Sequence, residues 1–360
     1  MNTPLIPPLC QSYTLRGVRY IDGKDPSVTL KADVVVENGI ITTITDYSSN
    51  NKVEQNSNES HISINVSDYF LTPTFADIHT HLDKTHTDIR AENLTQSHGD
   101  VFITISNYFY TISDLRMQFI GGAVQATLLD RVHFTPTDLY RRMDFALDCA
   151  FHHGTSMIRS HINSSSDLHI TDMAWRVFNA MKQKWLDKIT LQGVIFVLPS
   201  CEFGMNGKAT EIATIAAKHG GSVLGSSFSS PPTMTVAAVE EDDESKVDYQ
   251  GGSTTAITTT TTSTTTSTTI ELGALFALAK KLGEFHLDVH VDEHGDGSSD
   301  SLLTLARLTI QNAYQGRVTA SHCCSLSLAS PEHFQSTLRC LQEAQISVVS
   351  LPACNLYLQV

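Results

Sequence analysis

Apolar and polar positions along this chain follow two different periods. From Thr14 to Asp46, TLRGVRYIDGKDPSVTLKADVVVENGIITTITD, short β-branched runs are separated by Asp22-Gly23 and Asn38-Gly39, dipeptides that favour tight hairpin turns. The pattern predicts a small β unit. Residues 48–59, SSNNKVEQNSNE, read as a surface loop, after which HISINVSDYFLTPTF returns to apolar extended structure.

From Phe75 onward strand-like apolar runs alternate with helical periodicity, which predicts βα units and a largely parallel sheet. The expected strands are residues 75–81 (FADIHTH), 156–162 (SMIRSHI), 191–198 (LQGVIFVL), 221–227 (GSVLGSS), 285–292 (FHLDVHVD), 317–322 (RVTASH) and 346–353 (ISVVSLPA). Between them, LYRRMDFALDCAFHHG, MAWRVFNAMKQKW, EIATIAAKHGG, ELGALFALAKKLG and LLTLARLTIQNAYQG read as helices, several closing on glycine. Eight such units close a barrel, and seven are expected within these 360 residues. The acidic and threonine-rich tract at about 228–269 carries almost no core-forming pattern and is expected to be a disordered insertion after the fourth strand.

Composition narrows the partners. A formal net charge of −14 argues against a nucleic-acid or anionic membrane surface and favours small neutral or cationic substrates. The start, MNTPLIPPLC, has no basic region leading into an apolar run, and no stretch is apolar for long enough to span a bilayer. The expectation is a cytoplasmic protein with reduced thiols, since its seven cysteines form no CxxC. Cys323 and Cys324 are expected to be packing residues.

The candidate chemistry lies at strand ends. His79 and His81, two apart on a strand, project from one face and can converge on one ion. His161, His290 and His322 lie at or near the carboxyl ends of three further expected strands, and in a (β/α)8 barrel those ends meet at one mouth. His86, His98, His133, His152, His153, His169, His219, His286 and His294 read as core or loop histidines.

HTHLD at residue 79, VHVDE at 289, TASH at 319 and CNLYLQ at 354 together resemble the successive motifs of the cytosine deaminase branch of the amidohydrolase superfamily. The resemblance implies an α/β fold: a (β/α)8 TIM-like barrel over residues 73–360, incomplete at about seven strands, and a small β-sandwich segment over residues 1–72. It implies one divalent metal ion, zinc or iron, held by His79, His81 and His290. Glu293 would be the acid/base that shuttles protons, and His322 would orient or polarise the water that attacks an amidine carbon. His161, Asn163 and Ser200 would contact a small heterocyclic substrate.

Several positions depart from that pattern. GSVLGSS has no lysine for a bridging carbamate, which implies a single metal. Asn163 offers an amide where better-known members carry aspartate, and Ser200 lies where they carry a carbonyl-reading glutamine. The eighth-strand aspartate ligand is expected beyond Val360. Three readings stay open: deaminase of an aminated nitrogen heterocycle, ring-opening or side-chain amidohydrolase, and an inactive truncated paralogue with a binding role. Self-association is compatible with all three.

Overall fold

The computed structural model describes residues 12–25, 27–47, 62–88, 90, 123–165, 167–197, 207–228 and 262–358. The chain divides into two compact units, residues 1–74 and 75–360.

In the first unit, β1 (Tyr13–Ile21), β2 (Thr29–Glu37), β3 (Ile40–Asp46) and β4 (Ile62–Asn65) form one sheet in the order β3-β2-β1-β4. Asn38 (φ 52°) and Gly39 (φ 77°) make the two-residue turn between β2 and β3, both left-handed as a type I′ hairpin requires. Tyr13, Val18, Ala32, Val34, Val36 and Val66 form its small core.

The second unit is a nearly closed wall of parallel strands with helices outside it, an incomplete (β/α)8 barrel. Its strands are β5 (Phe75–Thr80), β6 (Thr155–Asn163), β7 (Thr190–Phe196), β8 (Gly221–Gly225), β9 (Ser227–Phe228), β10 (His286–Val291), β11 (Val318–His322) and β12 (Ser347–Val349). They run in the order β12-β11-β10-β8-β7-β6-β5, with β9 continuing the line of β8 along β10. All seven expected strands are present, and β5 and β12 are the outer ones.

The helices are α1 (Ala123–Asp130), α2 (Pro136–His152), α3 (Leu168–Lys184), α4 (Ala209–Lys218), α5 (Thr262–Lys281), α6 (Ser301–Gln311), α7 (Pro331–Ala344) and α8 (Pro352–Leu358). The core fills the space between strands and helices, with Trp175 and Phe178 of α3 against β7 and Phe276 of α5 against Tyr314. Gly225 lets two strands approach closely: a Cβ there would sit 2.6 Å from the Asp288 carbonyl oxygen. The consequence is a tight fit of β8 against β10, the strand that carries His290.

Two expectations need correction. The threonine tract is helical from Thr262, where α5 begins, and Phe228 at its other end is buried in β9. Threonine is a mediocre helix former, but Leu272, Leu275, Phe276 and Ala279 bury one face of α5, and the helix propagates from that anchored part into the tract. The remainder of the tract, residues 229–261, lies outside the described residues. The run at 346–353 is a strand for only three residues, because Pro352 opens α8. Helix α7 escaped the periodicity reading although its start is well marked: Ser330 accepts from the His333 N–H and Pro331 occupies the first turn.

Candidate metal centre

Period-two alternation sets what each strand presents. On β6, Arg159, His161 and Asn163 share a face; on β10, Asp288 and His290 do. His79 is the buried residue of β5, whose first four positions are exposed, and His81 follows as the chain turns into a short 3-10 turn, Leu82–Lys84.

Three imidazole nitrogens meet at one point. His79 Nε2 is 3.1 Å from His290 Nε2, and His81 Nε2 is 3.0 Å from the same atom. One shared proton can satisfy only one of those two contacts. A cation resolves both, and nitrogens at zinc-ligand distance on a tetrahedral ion lie about 3.3 Å apart. The donor set fits a divalent ion of the zinc or iron type, for which imidazole is a suitable ligand.

His161 and His322 flank this point. The sets His79–His290–His322 and His79–His81–His161 each bring their ligating atoms within 4.8 Å of one another. His161 is fully buried, its ring centroid 4.2 Å from that of His79, and its Nε2 lies 3.2 Å from Asp288 Oδ1. The structure thus places it against the histidine cluster with no solvent-facing surface. Asn163 Oδ1 lies 3.1 Å from His81 Nδ1, so the amide reaches a histidine nitrogen. Ser200 lies outside the described residues.

His322 and Glu293 form a second pair. His322 Nδ1 stands 3.2 Å from Glu293 Oε1 and 2.9 Å from Asn355 Oδ1 of α8. Both strand ends are backbone-distorted to deliver them: Asp292 (φ 53°), His322 (φ 73°) and Cys323 (φ 52°) are left-handed, a conformation uncommon outside glycine and frequent at functional sites.

The electrostatics favour neutral, ligating imidazoles. Burial, reinforced by the neighbouring His161, His322, Lys84 and Arg159, holds His79 far below the ordinary histidine range. Burial does the same to His81, helped by Lys84 and neighbouring histidines, and to His290, helped by the neighbouring histidines. Burial also pulls the Lys84 ammonium down, against the carboxylates of Asp83 and Glu293. The Cys324 thiol is pushed up to about 11 by burial and by Glu293, and burial raises Cys323 further, so both stay protonated and unsuited to hold a metal.

Beneath the histidines lies a polar layer that the motif reading passed over. Asp288, fully buried, accepts from Arg159 Nη1 at 2.7 Å on one oxygen and faces His161 and Ser321 Oγ on the other. Arg159 Nε donates to Gln192 Oε1 at 2.7 Å. The signal was available: Asp288 and Arg159 lie two residues before His290 and His161, on the same strand faces.

An incomplete (β/α)8 barrel whose strand ends gather histidines able to hold a metal ion places the chain in the class of α/β barrels. The chain belongs to the amidohydrolase family, whose model matches residues 70–360. It is similar to a pterin deaminase of Rhizobium rhizogenes, 29% identical over 331 residues that cover 92% of this chain and 60% of that protein. The chain therefore spans less than two thirds of the length of that curated relative. In fold it resembles 5-methylcytosine deaminase from Klebsiella pneumoniae (20% identity, TM-score 0.67, covering 96% of this chain and 67% of that one). It also resembles N-isopropylammelide isopropylaminohydrolase from Burkholderia multivorans (18% identity, TM-score 0.60, covering 97% and 73%). Among the described residues no helix is long and apolar enough to cross a membrane.

Proposed function

We propose that this chain carries the centre of a metal-dependent hydrolase that deaminates an aminated nitrogen heterocycle. The observation that carries the proposal is the meeting of His79, His81 and His290 through their Nε2 atoms at 3.0–3.1 Å. The pterin deaminase name of the Rhizobium relative makes an aminated fused ring the first substrate to test.

His79, His81 and His290 would hold one divalent ion, which when bound supplies Lewis-acid activation of water. Glu293, buried and 3.2 Å from His322 Nδ1, takes the proton from the attacking water and passes it to the substrate, so that ammonia leaves and a ring carbonyl replaces the amino group. His322 orients that water, held in place by Glu293 and by Asn355. Asn163, which bonds His81, contributes to substrate contact from its edge of the mouth. Lys84 interacts electrostatically with Glu293 at the same mouth.

The test is ammonia release by the zinc- or iron-loaded chain over a panel of pterin, 5-methylcytosine, cytosine and aminated triazines. Release with an intact ring supports the proposal. Ring-opened products would replace it with the amidohydrolase reading, and a metal-loaded chain inert on the whole panel would defeat the assignment for these 360 residues.

A further inference from the structure

Ser321 stands between a fully buried carboxylate of the barrel, Asp288, and a histidine of the candidate centre. Its Oγ lies 2.9 Å from His79 Nδ1 and 3.3 Å from Asp288 Oδ1. Both Ser321 and Asp288 are fully buried, and so is the His161 ring that shares the same carboxylate oxygen.

A serine hydroxyl has one proton to give and two lone pairs to receive. Asp288 is held as an acceptor. Its Oδ2 accepts from Arg159 Nη1 at 2.7 Å and its Oδ1 faces His161 Nε2 at 3.2 Å and Ser321 Oγ at 3.3 Å, and a carboxylate paired with a guanidinium has lone pairs but no proton to offer. The Ser321 proton therefore goes to Asp288, and the oxygen is left to accept from His79. That assignment places the His79 proton on Nδ1 and leaves Nε2 bare, pointing at His290 Nε2. Asn163 Oδ1, at 3.1 Å, imposes the same tautomer on His81.

We infer that Ser321, backed by Asp288, is a positioning residue that selects the Nδ1–H form of His79 and so presents Nε2 to the metal. The arrangement is a carboxylate–histidine pair with a hydroxyl interposed. The carboxylate sets polarity, the serine spans the gap between two strands, and the ring is fixed in both angle and tautomer. The interposed serine is needed because Asp288 sits on β10, beside His290, whereas His79 is on β5 across the barrel; β11 brings Ser321 between them.

This inference rests on the metal reading for its purpose but not for its test. In the full chain with ring-15N-labelled histidine and metal removed, the nitrogen shifts of His79, assigned by comparison with His79→Gln, should report the Nδ1–H tautomer. In Ser321→Ala the signal should move toward the Nε2–H form, and in Ser321→Thr, which keeps the hydroxyl, it should return. A His79 that carries its proton on Nε2 in the wild-type chain overturns the inference outright, whatever the variants do.

Zinc affinity, measured by chelator competition, gives a second arm. Ser321→Ala should weaken it about 10–100-fold, the range typical of a lost outer-shell partner, with Ser321→Thr close to wild type. Equal zinc affinity in wild type and Ser321→Ala, both folded by a cooperative melt of the metal-free protein, counts against Ser321. A wild-type chain that binds no zinc at all would instead defeat the metal reading, and the tautomer measurement would still decide the role of Ser321.

Discussion

Strands β10 and β5 deliver histidines to the same point from opposite structural circumstances. β10 lies inside the wall, paired with β8 and β9 on one side and β11 on the other, and every residue from Leu287 to Val291 is buried. Among the described residues β5 is an outer strand paired only with β6, in a register that shifts twice, and Phe75 and Ile78 are 60% and 45% exposed. A ladder on both edges fixes His290. The end of β5 has no such ladder, and side chains hold it instead.

Those side chains form a clamp around the turn after His81. Arg142 of α2, buried, donates from Nη1 to the carbonyls of Asp83 and Thr85 at 2.8 and 2.9 Å. Asp83 Oδ2 accepts from the Asn163 N–H, and Ser160 Oγ accepts from the Leu82 N–H. Asp138 locks Arg142 four residues along the same helix, and Arg90 bonds Asp138 and Asp130 together. The lesson is that an edge strand can be as well placed as a central one when its carboxyl end is tied by charge-assisted bonds rather than by sheet pairing.

The sharpest test treats the two strands as equals at the centre. His290→Ala and His79→Ala should each abolish stoichiometric metal retention, a larger loss than the about 10–100-fold expected when only an outer partner is removed. Metal content after dialysis reads the outcome, and retention by either variant would show that the two strands do not contribute alike.

Next in size is the clamp. Arg142→Ala leaves two carbonyls and a carboxylate short of partners and should cost about 1–3 kcal/mol. Hydrogen exchange should quicken at residues 82–85 while 287–291 stay protected. Uniform loosening of both stretches would refute the division of labour.

Acid should act on the same clamp. Hydrogen bonding from Arg90, with help from Arg142, lowers the Asp138 carboxyl from 3.8 to about 2 despite partial burial. Because the folded value is depressed, the stabilisation is full above the unfolded value near 4 and fades as pH falls through about 2. Asp138→Asn should flatten that part of the acid-unfolding curve.

The smallest expected effect is on the exposed side of β5. Ile78→Ser should change stability by no more than about 0.5 kcal/mol, as for other surface positions, while Val289→Ala on β10 should cost about 1–3 kcal/mol through lost burial. Chemical denaturation of the two variants checks the contrast.

Legibility followed the same divide. Strand runs and strand-end histidines are local patterns, so all seven barrel strands and the cluster of His79, His81, His161, His290 and His322 could be read from residue order alone. The clamp could not. Arg142 and Asp83 are 59 residues apart, and nothing in an amphipathic helix marks one arginine as buried on a carbonyl. Asn355 was part of a quoted motif without a role, and only the fold brings it to His322. Helix α5 entered the threonine tract because packing of its distal half overrode local composition.

The left-handed step at His322 and Cys323 has a consequence for how such proteins are recognised. On a regular strand, adjacent residues look in opposite directions, so a strand contributes every second letter to its interior. Here Ser321 reaches His79 Nδ1 and the very next ring, His322, lies 5.1 Å from that of His79. Two consecutive letters address one centre because the backbone turns left-handed at His322. A scan for alternating donors would discard one of the pair and lose half of what this strand end contributes to the site.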